Sequence, residues 1–253
     1  MDELSIILGS GGIIGSQLAE RLTKNNIDVL EFGLKDGETS NFTSVDFLKN
    51  SSCKIICEKV LEHTTKNKFD NVRIFCNAGG AIVDVEDYLK EDWEIDFESK
   101  WLRIVNGNIA ALFIAANLVN KISSHVKQGN VLATSSVYGH YSPDFRVYQN
   151  SEYKSRAMTS SSAYTAGKAG VSGLIKYYAV KFSSLNYRFN SIALGGIESG
   201  QNQNFIDAYT SRVPMGRMAN IGEVIEAILA LSSPKMSYLT GQTVIYDGGM
   251  SAW

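Results

Sequence analysis

The chain has 253 residues, of which 44% are hydrophobic and 20% are charged, the balance of a soluble globular protein. This composition excludes disordered and fibrous architectures. The 24 lysines and arginines nearly balance the 26 aspartates and glutamates, and a net charge of -2 favours neither a nucleic-acid partner nor an anionic membrane surface. We therefore expect a small, largely uncharged substrate.

Two features of the sequence bear on its location. The longest apolar stretches, such as residues 109–119, are about ten residues long, whereas a membrane span needs roughly 20. The start, Met1-Asp2-Glu3, is acidic and leads directly into a strand-like run, unlike a secretory signal. We expect a cytoplasmic protein in which Cys53, Cys57 and Cys76 are reduced packing thiols without a metal.

Apolar runs alternate with helix-periodic segments along the whole chain, and no linker or repeat interrupts them. This alternation predicts an α/β fold, a parallel sheet with helices on both faces, in one domain spanning residues 1–253. The predicted strands are residues 5–8, 28–32, 72–76, 130–134, 188–193 and 243–246. The clearest predicted helices are residues 14–24, 101–122, 163–183 and 222–231.

A glycine-rich turn follows the first predicted strand. It reads Gly9-Ser10-Gly11-Gly12-Ile13-Ile14-Gly15 and opens the first helix. Glycines allow the unusual dihedrals of such a turn and let a pyrophosphate reach the amides at the positive end of the helix. A purely structural turn would also use glycine, but the place in an alternating α/β chain predicts a dinucleotide site.

The second strand normally ends in an acidic residue that binds the adenosine ribose. Here its tip is Gly33, and Glu31 either points inward or reaches the ribose from an unusual angle. The absent carboxylate and nearby Lys35 would tolerate a 2′-phosphate. The sequence is therefore compatible with NAD or NADP and leans slightly to NADP.

A tyrosine and a lysine four residues apart, Tyr164 and Lys168, lie on one face of a predicted helix. A phenol with a reference pKa of about 10 is a poor acid or base at neutral pH, and an adjacent cation lowers that pKa. Such a pair is common on surface helices, so its meaning depends on the other motifs.

Together these motifs resemble the short-chain dehydrogenase/reductase family over nearly the whole chain. The resemblance covers the glycine turn, Asn77-Ala78-Gly79, the Tyr164 and Lys168 pair, Ser136 as the active-site serine and Asn108 as the helix asparagine. Ser135 and Asn106 are one-register alternatives. The resemblance implies a Rossmann-type doubly wound sheet and an NAD(P)-dependent oxidoreductase.

Family roles can be carried over to matching positions. Tyr164 would exchange the hydroxyl proton, and Ser136 would bind the substrate oxygen. Lys168 would hold the nicotinamide ribose and lower the pKa of Tyr164, while Asn108 would position a relay water. The remaining cofactor contacts implied by the resemblance are Asp46 and Phe47 at the adenine, and Gly195, Ile197 and Ser199 at the nicotinamide and phosphate.

Three departures from the family pattern stand out. Ile13 replaces the middle glycine, which is closer to the branch that contains sugar-nucleotide epimerases and dehydratases. Only 13 residues separate Gly33 from Asp46, so the usual second helix is expected to be shortened or missing. Ser136 and Tyr164 are 28 positions apart, roughly twice the family's usual separation, which predicts a substrate-side insertion at residues 137–162.

The substrate is expected to be selected by this insertion and by a second polar loop at residues 196–218. Amides suit hydroxyls and arginines suit phosphate, although a solvated loop would carry the same residues. Those residues are His140, Tyr141, Arg146, Tyr148, Tyr153, Lys154, Arg156, Gln201, Asn202, Gln203, Asn204 and Arg212.

The chain also resembles family members of bacterial surface-sugar and flagellin-glycan biosynthesis. Our hypothesis is a sugar or nucleotide-sugar oxidoreductase. The alternatives are an epimerase or dehydratase that retains its nicotinamide, and a non-catalytic dinucleotide-binding protein. The resemblance further suggests a homodimer or homotetramer. Gly167, Gly170 and Gly173, on the helix of Tyr164, would let the backbone of a second subunit approach closely, unless they serve packing within the chain.

Overall fold

The computed structural model describes residues 2–34, 41–79 and 96–252. Seven parallel strands form one sheet in the order β3-β2-β1-β4-β5-β8-β9. These strands are β1 Glu3–Leu8, β2 Asp28–Gly33, β3 Phe42–Ser44, β4 Asn71–Cys76, β5 Gly129–Ser136, β8 Tyr187–Leu194 and β9 Thr243–Tyr246. Two further short strands, β6 Glu152–Tyr153 and β7 Arg156–Ala157, form a separate antiparallel hairpin.

Helices cover both faces of the sheet, which confirms the predicted Rossmann-type fold. The helices are α1 Ile13–Lys24, α2 Ser52–Lys66, α3 Leu102–Ile122, α4 Ser162–Lys181, α5 Gln203–Thr210 and α6 Ile221–Ser232. On one face, Leu4 and Ile6 of β1 join a core with α2, α3 and α4. On the other, Ile7 joins a core with α1 and α6. The central strands are apolar on both sides because both sides are covered.

The strand order reverses between β1 and β4, and this reversal determines where the site lies. The chain first builds outward through β2 and β3, and then returns to place β4 on the other side of β1. The helices that follow β1 and β4 lie on opposite faces of the sheet, and such a reversal, at the carboxyl ends of the strands, is the usual ligand position in such sheets. The glycine turn and Asn77 both lie at this edge.

Within the described residues, one helix, Phe97–Ile122, is long and apolar enough to span a membrane. It includes α3 and a preceding π-helical turn at Phe97–Trp101. It packs between α2 and α4 and contacts β4. Its side chains Leu112, Ile114 and Leu118 belong to the main core. Its apolar character is therefore explained by packing on the sheet.

Most predicted elements match the observed ones to within one or two residues. Further elements are α2, β3, the β6–β7 hairpin inside the insertion, and α5 inside the expected loop at 196–218. The segment expected as a polar loop thus contains a helix, whose Phe205 and Tyr209 are buried in a small core with Val147 of the insertion. Residues 35–40, which include Lys35, lie outside the described part of the chain.

The glycines of α4 pack mainly within the chain. A Cβ at Gly167 would lie 2.8 Å from Asn108 Cβ, and one at Gly170 would lie 3.4 Å from Ile109 Cγ2. A Cβ at Gly173 would meet no described atom within 4 Å. Close contact between α3 and α4 therefore explains Gly167, which is the packing alternative considered above, whereas a methyl group at position 170 would make only an ordinary contact.

Candidate active site

The glycine turn brings the loops after β1 and β4 into contact. Gly9 has a φ of +106°, and a Cβ there would lie 2.4 Å from Ala78 N. A Cβ at Gly15 would lie 2.1 Å from Gly9 O. Because both positions exclude any side chain, the turn stays pressed against the Asn77-Ala78-Gly79 segment.

The amino end of α1 fits an anionic group. Gly12 is the N-cap residue, no side chain caps this helix end, and its first turn carries no acidic residue. Ile13 is half exposed beside it. First-turn N–H groups and the helix dipole favour a phosphate at such an end. Gly12, Ile13 and Ile14 would hold the pyrophosphate of a dinucleotide.

The adenosine side is bounded by Gly33 and β3. A Cβ at Gly33 would lie 3.3 Å from Gly11 N and 3.6 Å from the Phe42 ring. Glu31 is only 7% exposed within the sheet, so the inward alternative for this residue is the one found. Asp46 Oδ1 accepts a hydrogen bond from Leu48 N at 3.0 Å. Within the described residues the tip of β2 thus carries no carboxylate.

Ser136 and Tyr164 meet at the carboxyl end of β5. Their side chains are hydrogen bonded, and Ser136 Oγ also accepts from Tyr138 N at 3.2 Å. Ser135 Oγ instead donates to Lys168 O at 3.1 Å and ties α4 to the strand. The geometry therefore selects Ser136 over Ser135 as the group beside the phenol.

Lys168 is buried with its ammonium close to Tyr164. Its Nζ donates to Thr134 O at 2.9 Å and lies 5.7 Å from the Tyr164 ring centroid. Burial lowers the pKa of Lys168 to about 8. Burial raises the pKa of Tyr164, partly opposed by the hydrogen bond with Ser136. Desolvation therefore sets the net direction of this pKa, and the expected lowering by Lys168 stays a prediction.

Thr134 joins two of the motifs. Its hydroxyl donates to Asn77 Oδ1 at 2.6 Å, while its carbonyl accepts from Lys168. The loop after β4 and the lysine of α4 are therefore held by one residue of β5. Sequence inspection did not single out Thr134, whose only signal was its place two residues before Ser136.

Asn108 lies where three segments converge. It is 4% exposed, and its Nδ2 donates to Ile104 O at 2.9 Å within α3. A Cβ at Gly79 would lie 2.6 Å from Asn108 Oδ1, and Gly167 of α4 approaches from the other side. Asn106 is exposed, so the geometry selects Asn108.

The segment after β8 is anchored by α5. Gly196 N donates to the Tyr209 hydroxyl at 2.7 Å, and a Cβ at Gly195 would lie 2.9 Å from Asp247 Cα. Ile197 and Ser199 follow and are half buried. The segment thus lies at the same edge as Ser136, which pairs with Leu194 at the end of β8.

A cavity of about 280 Å³ opens beside this segment. Its walls include Gly195, Gly196, Tyr209, Tyr246 and Asp247. A hydroxyl pair lies nearby, in which Tyr148 Oη donates to Tyr138 Oη at 3.0 Å. Tyr138 is close enough to Tyr164 for the two phenols to interact electrostatically. Tyr138 also interacts with Tyr209, so it lies close both to the candidate site and to a wall of the cavity.

Two arginines expected at the substrate are used within the insertion. Arg146 and Arg212 both pair with the carboxylate of Asp144. One carboxylate offsets only one of the two positive charges, but the shared pairing holds both guanidinium groups within this part of the chain. Among the described residues, no group of three or more His, Cys, Asp and Glu side chains could hold a metal ion.

A family profile described as Enoyl-(Acyl carrier protein) reductase matches residues 14–251. The chain belongs to the short-chain dehydrogenase/reductase family. It is thus an NAD(P)-dependent oxidoreductase, which confirms the predicted reaction class and cofactor class.

Relatives of this dehydrogenase carry two kinds of name. The 3-oxoacyl-[acyl-carrier-protein] reductase FabG of Thermotoga maritima is 27% identical over 92% of this chain and 86% of its own. The post-translational flagellin modification protein A of Campylobacter coli is 23% identical over 98% of both chains. These names point to different substrates, so family membership fixes the reaction class and not the substrate.

A solved structure supports the same family assignment of this dehydrogenase. The short chain dehydrogenase from Leptospira borgpetersenii, described with bound NAD+, is 26% identical and superposes with a TM-score of 0.81. The match covers 99% of this chain and 93% of that one. Tyr209 and Thr134 are the site neighbours that sequence reasoning missed in this dehydrogenase.

Proposed function

We propose that this enzyme reduces a ketone of a small, polyhydroxylated substrate such as a sugar, with Tyr164 as the proton donor. The observation that carries the proposal is the convergence of Ser136, Tyr164 and Lys168 beside the glycine turn. Bound NADPH or NADH would supply the hydride. The chain's own groups would then manage the proton and the developing negative charge.

The protonation states of the two groups on α4 at neutral pH fit a role of Tyr164 as proton donor. Because burial raises the pKa of Tyr164, the phenol is protonated at neutral pH and is ready to donate. Lys168, with a pKa of about 8, is mostly charged at pH 7 and would stabilise the phenolate left behind. Ser136 would donate a hydrogen bond to the substrate oxygen, while Asn108 would hold a relay water.

The cofactor site fits a dinucleotide and leans to NADP. Gly9, Ser10, Gly11 and Gly12 bring backbone close to the uncapped start of α1. A carboxylate at Gly33 would repel a 2′-phosphate, and none is present there. Asp46 and Phe47 would contact the adenine, and Ile197 and Ser199 the nicotinamide amide and phosphate.

The substrate side favours hydroxyl groups over phosphate. The Tyr141 phenol oxygen is buried and has no hydrogen-bond partner among the described residues. Burial and nearby Asp247 raise its pKa to about 12, so it stays neutral. Asp247 is also a wall of the cavity. A small shift of Tyr141 toward the cavity would let a substrate hydroxyl satisfy this buried group, whose unpaired burial otherwise costs about 1–3 kcal/mol.

A second candidate substrate is a 3-oxoacyl thioester, favoured by the FabG relatives. To separate the two, the purified enzyme is assayed at 340 nm with NADPH or NADH, using ketohexoses and acetoacetyl-coenzyme A as probes. Turnover of the sugar supports the proposal. Turnover confined to the thioester contradicts the sugar proposal and supports a 3-oxoacyl thioester as the substrate.

Tyr164→Phe tests the chemistry with either probe. We expect kcat to fall about 10²- to 10⁴-fold while the Kd for NADPH changes less than twofold, because the lost hydroxyl serves proton transfer. A variant that keeps most of its turnover contradicts the role of Tyr164.

We further propose a cytoplasmic homodimer or homotetramer joined through the outer faces of α3 and α4, where Phe113, Tyr177 and Val180 are exposed. Light scattering tests its mass.

A further inference from the structure

The insertion and the segment that follows β8 are joined by backbone hydrogen bonds. Lys154 N donates to Gly200 O at 3.0 Å, and Asn202 N donates to Glu152 O at 2.9 Å. Tyr153 and Gln201 form an antiparallel bridge between these bonds. Gln201 thus extends the β6–β7 hairpin as a third strand position.

Side chains reinforce this junction. The Asn202 side chain donates to Asn150 O at 3.0 Å. Val147 of the insertion packs with Phe205 and Tyr209 of α5 in a small separate core. The backbone of Gln201 is therefore held by the insertion before it and by α5 after it.

The side chain of Gln201 turns back onto the segment that contains Ile197 and Ser199. Its Nε2 donates to Ile197 O at 2.9 Å and approaches Ser199 Oγ at 3.4 Å. Its Oε1 accepts from Ser199 N at 2.8 Å. Both ends of one amide are used, so the carbonyl of Ile197 and the N–H of Ser199 have fixed directions.

We propose that Gln201 is a positioning residue that couples the insertion to cofactor binding. This inference rests on the proposed contacts of Ile197 and Ser199 with the nicotinamide end of the cofactor. With Gln201 anchored by the hairpin, the segment is ordered before the cofactor arrives, so binding does not bear the cost of ordering it. The insertion then serves the cofactor as well as the substrate.

The bonds to Ile197 and Ser199 require the side-chain amide of Gln201. Methionine would fill a similar volume but would provide neither the donor nor the acceptor. The matched control is Gln203→Met, since Gln203 is exposed two residues away and its side chain donates to Asp207 within α5 at 2.7 Å. Both variants remove one glutamine amide, at positions 201 and 203.

The experiment measures two ligands by fluorescence and calorimetric titration. NADPH reports the whole cofactor site, whereas adenosine 2′,5′-bisphosphate reports only the adenosine end; NADH and AMP replace them if the wild type prefers NADH. For Gln201→Met we expect about a tenfold weaker Kd for NADPH, about 1.4 kcal/mol, because cofactor binding would then bear the cost of ordering this segment. The Kd for adenosine 2′,5′-bisphosphate should change less than twofold. Gln203→Met should match the wild type for both ligands.

Steady-state kinetics add a second readout. The KM for NADPH should rise in Gln201→Met more than kcat falls, because the chemical groups on α4 are untouched. Unchanged NADPH binding overturns the inference, and so does an equal loss for both ligands, which indicates general damage to the fold. If the wild type binds neither NADPH nor NADH, the proposed function itself fails.

Discussion

The buried ammonium of Lys168 should make the stability of this protein depend on pH in a defined direction. Its pKa is lowered from 10.5 to about 8, so the unfolded chain holds a proton between these values that the folded chain has released. Stability therefore rises with pH across this window, whereas below pH 8 the full cost of burying the charge applies. That cost is about 3 kcal/mol.

The test compares wild type with Lys168→Met by urea unfolding at pH 7.5, 8.5 and 9.5. The stability of the wild type relative to the variant should increase by about 2 kcal/mol from pH 7.5 to 9.5. Loss of the bond to Thr134 adds an offset that does not depend on pH, so only the slope is used. Lys176→Met, at an exposed position of α4, should show no such slope. A constant difference between wild type and Lys168→Met refutes the reasoning.

Two further predictions concern glycines at the site. Gly33→Asp should shift cofactor preference toward NADH by at least tenfold, because the new carboxylate would repel a 2′-phosphate. The preference is measured as the ratio of the Kd values for NADPH and NADH. An unchanged ratio contradicts the placement of the ribose at this tip. Gly167→Ala should destabilise the fold by about 1–2 kcal/mol, because its Cβ would lie 2.8 Å from Asn108 Cβ and the overpacking outweighs the gain in helix propensity. The same contact should displace Asn108 and lower kcat. Gly173→Ala, with open space around it, should be neutral or stabilising in the same denaturation assay, and equal behaviour of the two alanines would contradict the assigned packing.

Local patterns were sufficient for most elements of the sheet and for the helix of the site. The strand predicted over residues 72–76 and the helix carrying Tyr164 and Lys168 follow from their apolar patterns, because β4 is buried along its whole length and one side of α4 is buried. The glycine turn was also readable, since its glycines are required by contacts that any side chain would block.

The substrate side was not readable in the same way. The short strands β6 and β7 are exposed, so they carry no apolar alternation, and they exist because Gly200 and Asn202 provide bonds from a distant segment. Helix α5 has only eight residues and is stabilised by packing on Val147, more than 50 positions away. Such short elements depend on tertiary contacts for their stability.

By itself, the sequence determined the family and the fold, and it singled out the groups that meet at the candidate site, because these depend on motifs with fixed local spacing. Only the tertiary structure placed Ser136 rather than Ser135 beside Tyr164, buried Glu31 and raised the pKa of Tyr164 through desolvation. It also showed that Gln201, expected at the substrate, bonds to Ile197 and Ser199. Burial and side-chain direction arise from contacts between distant segments, and spacing along the chain does not contain them.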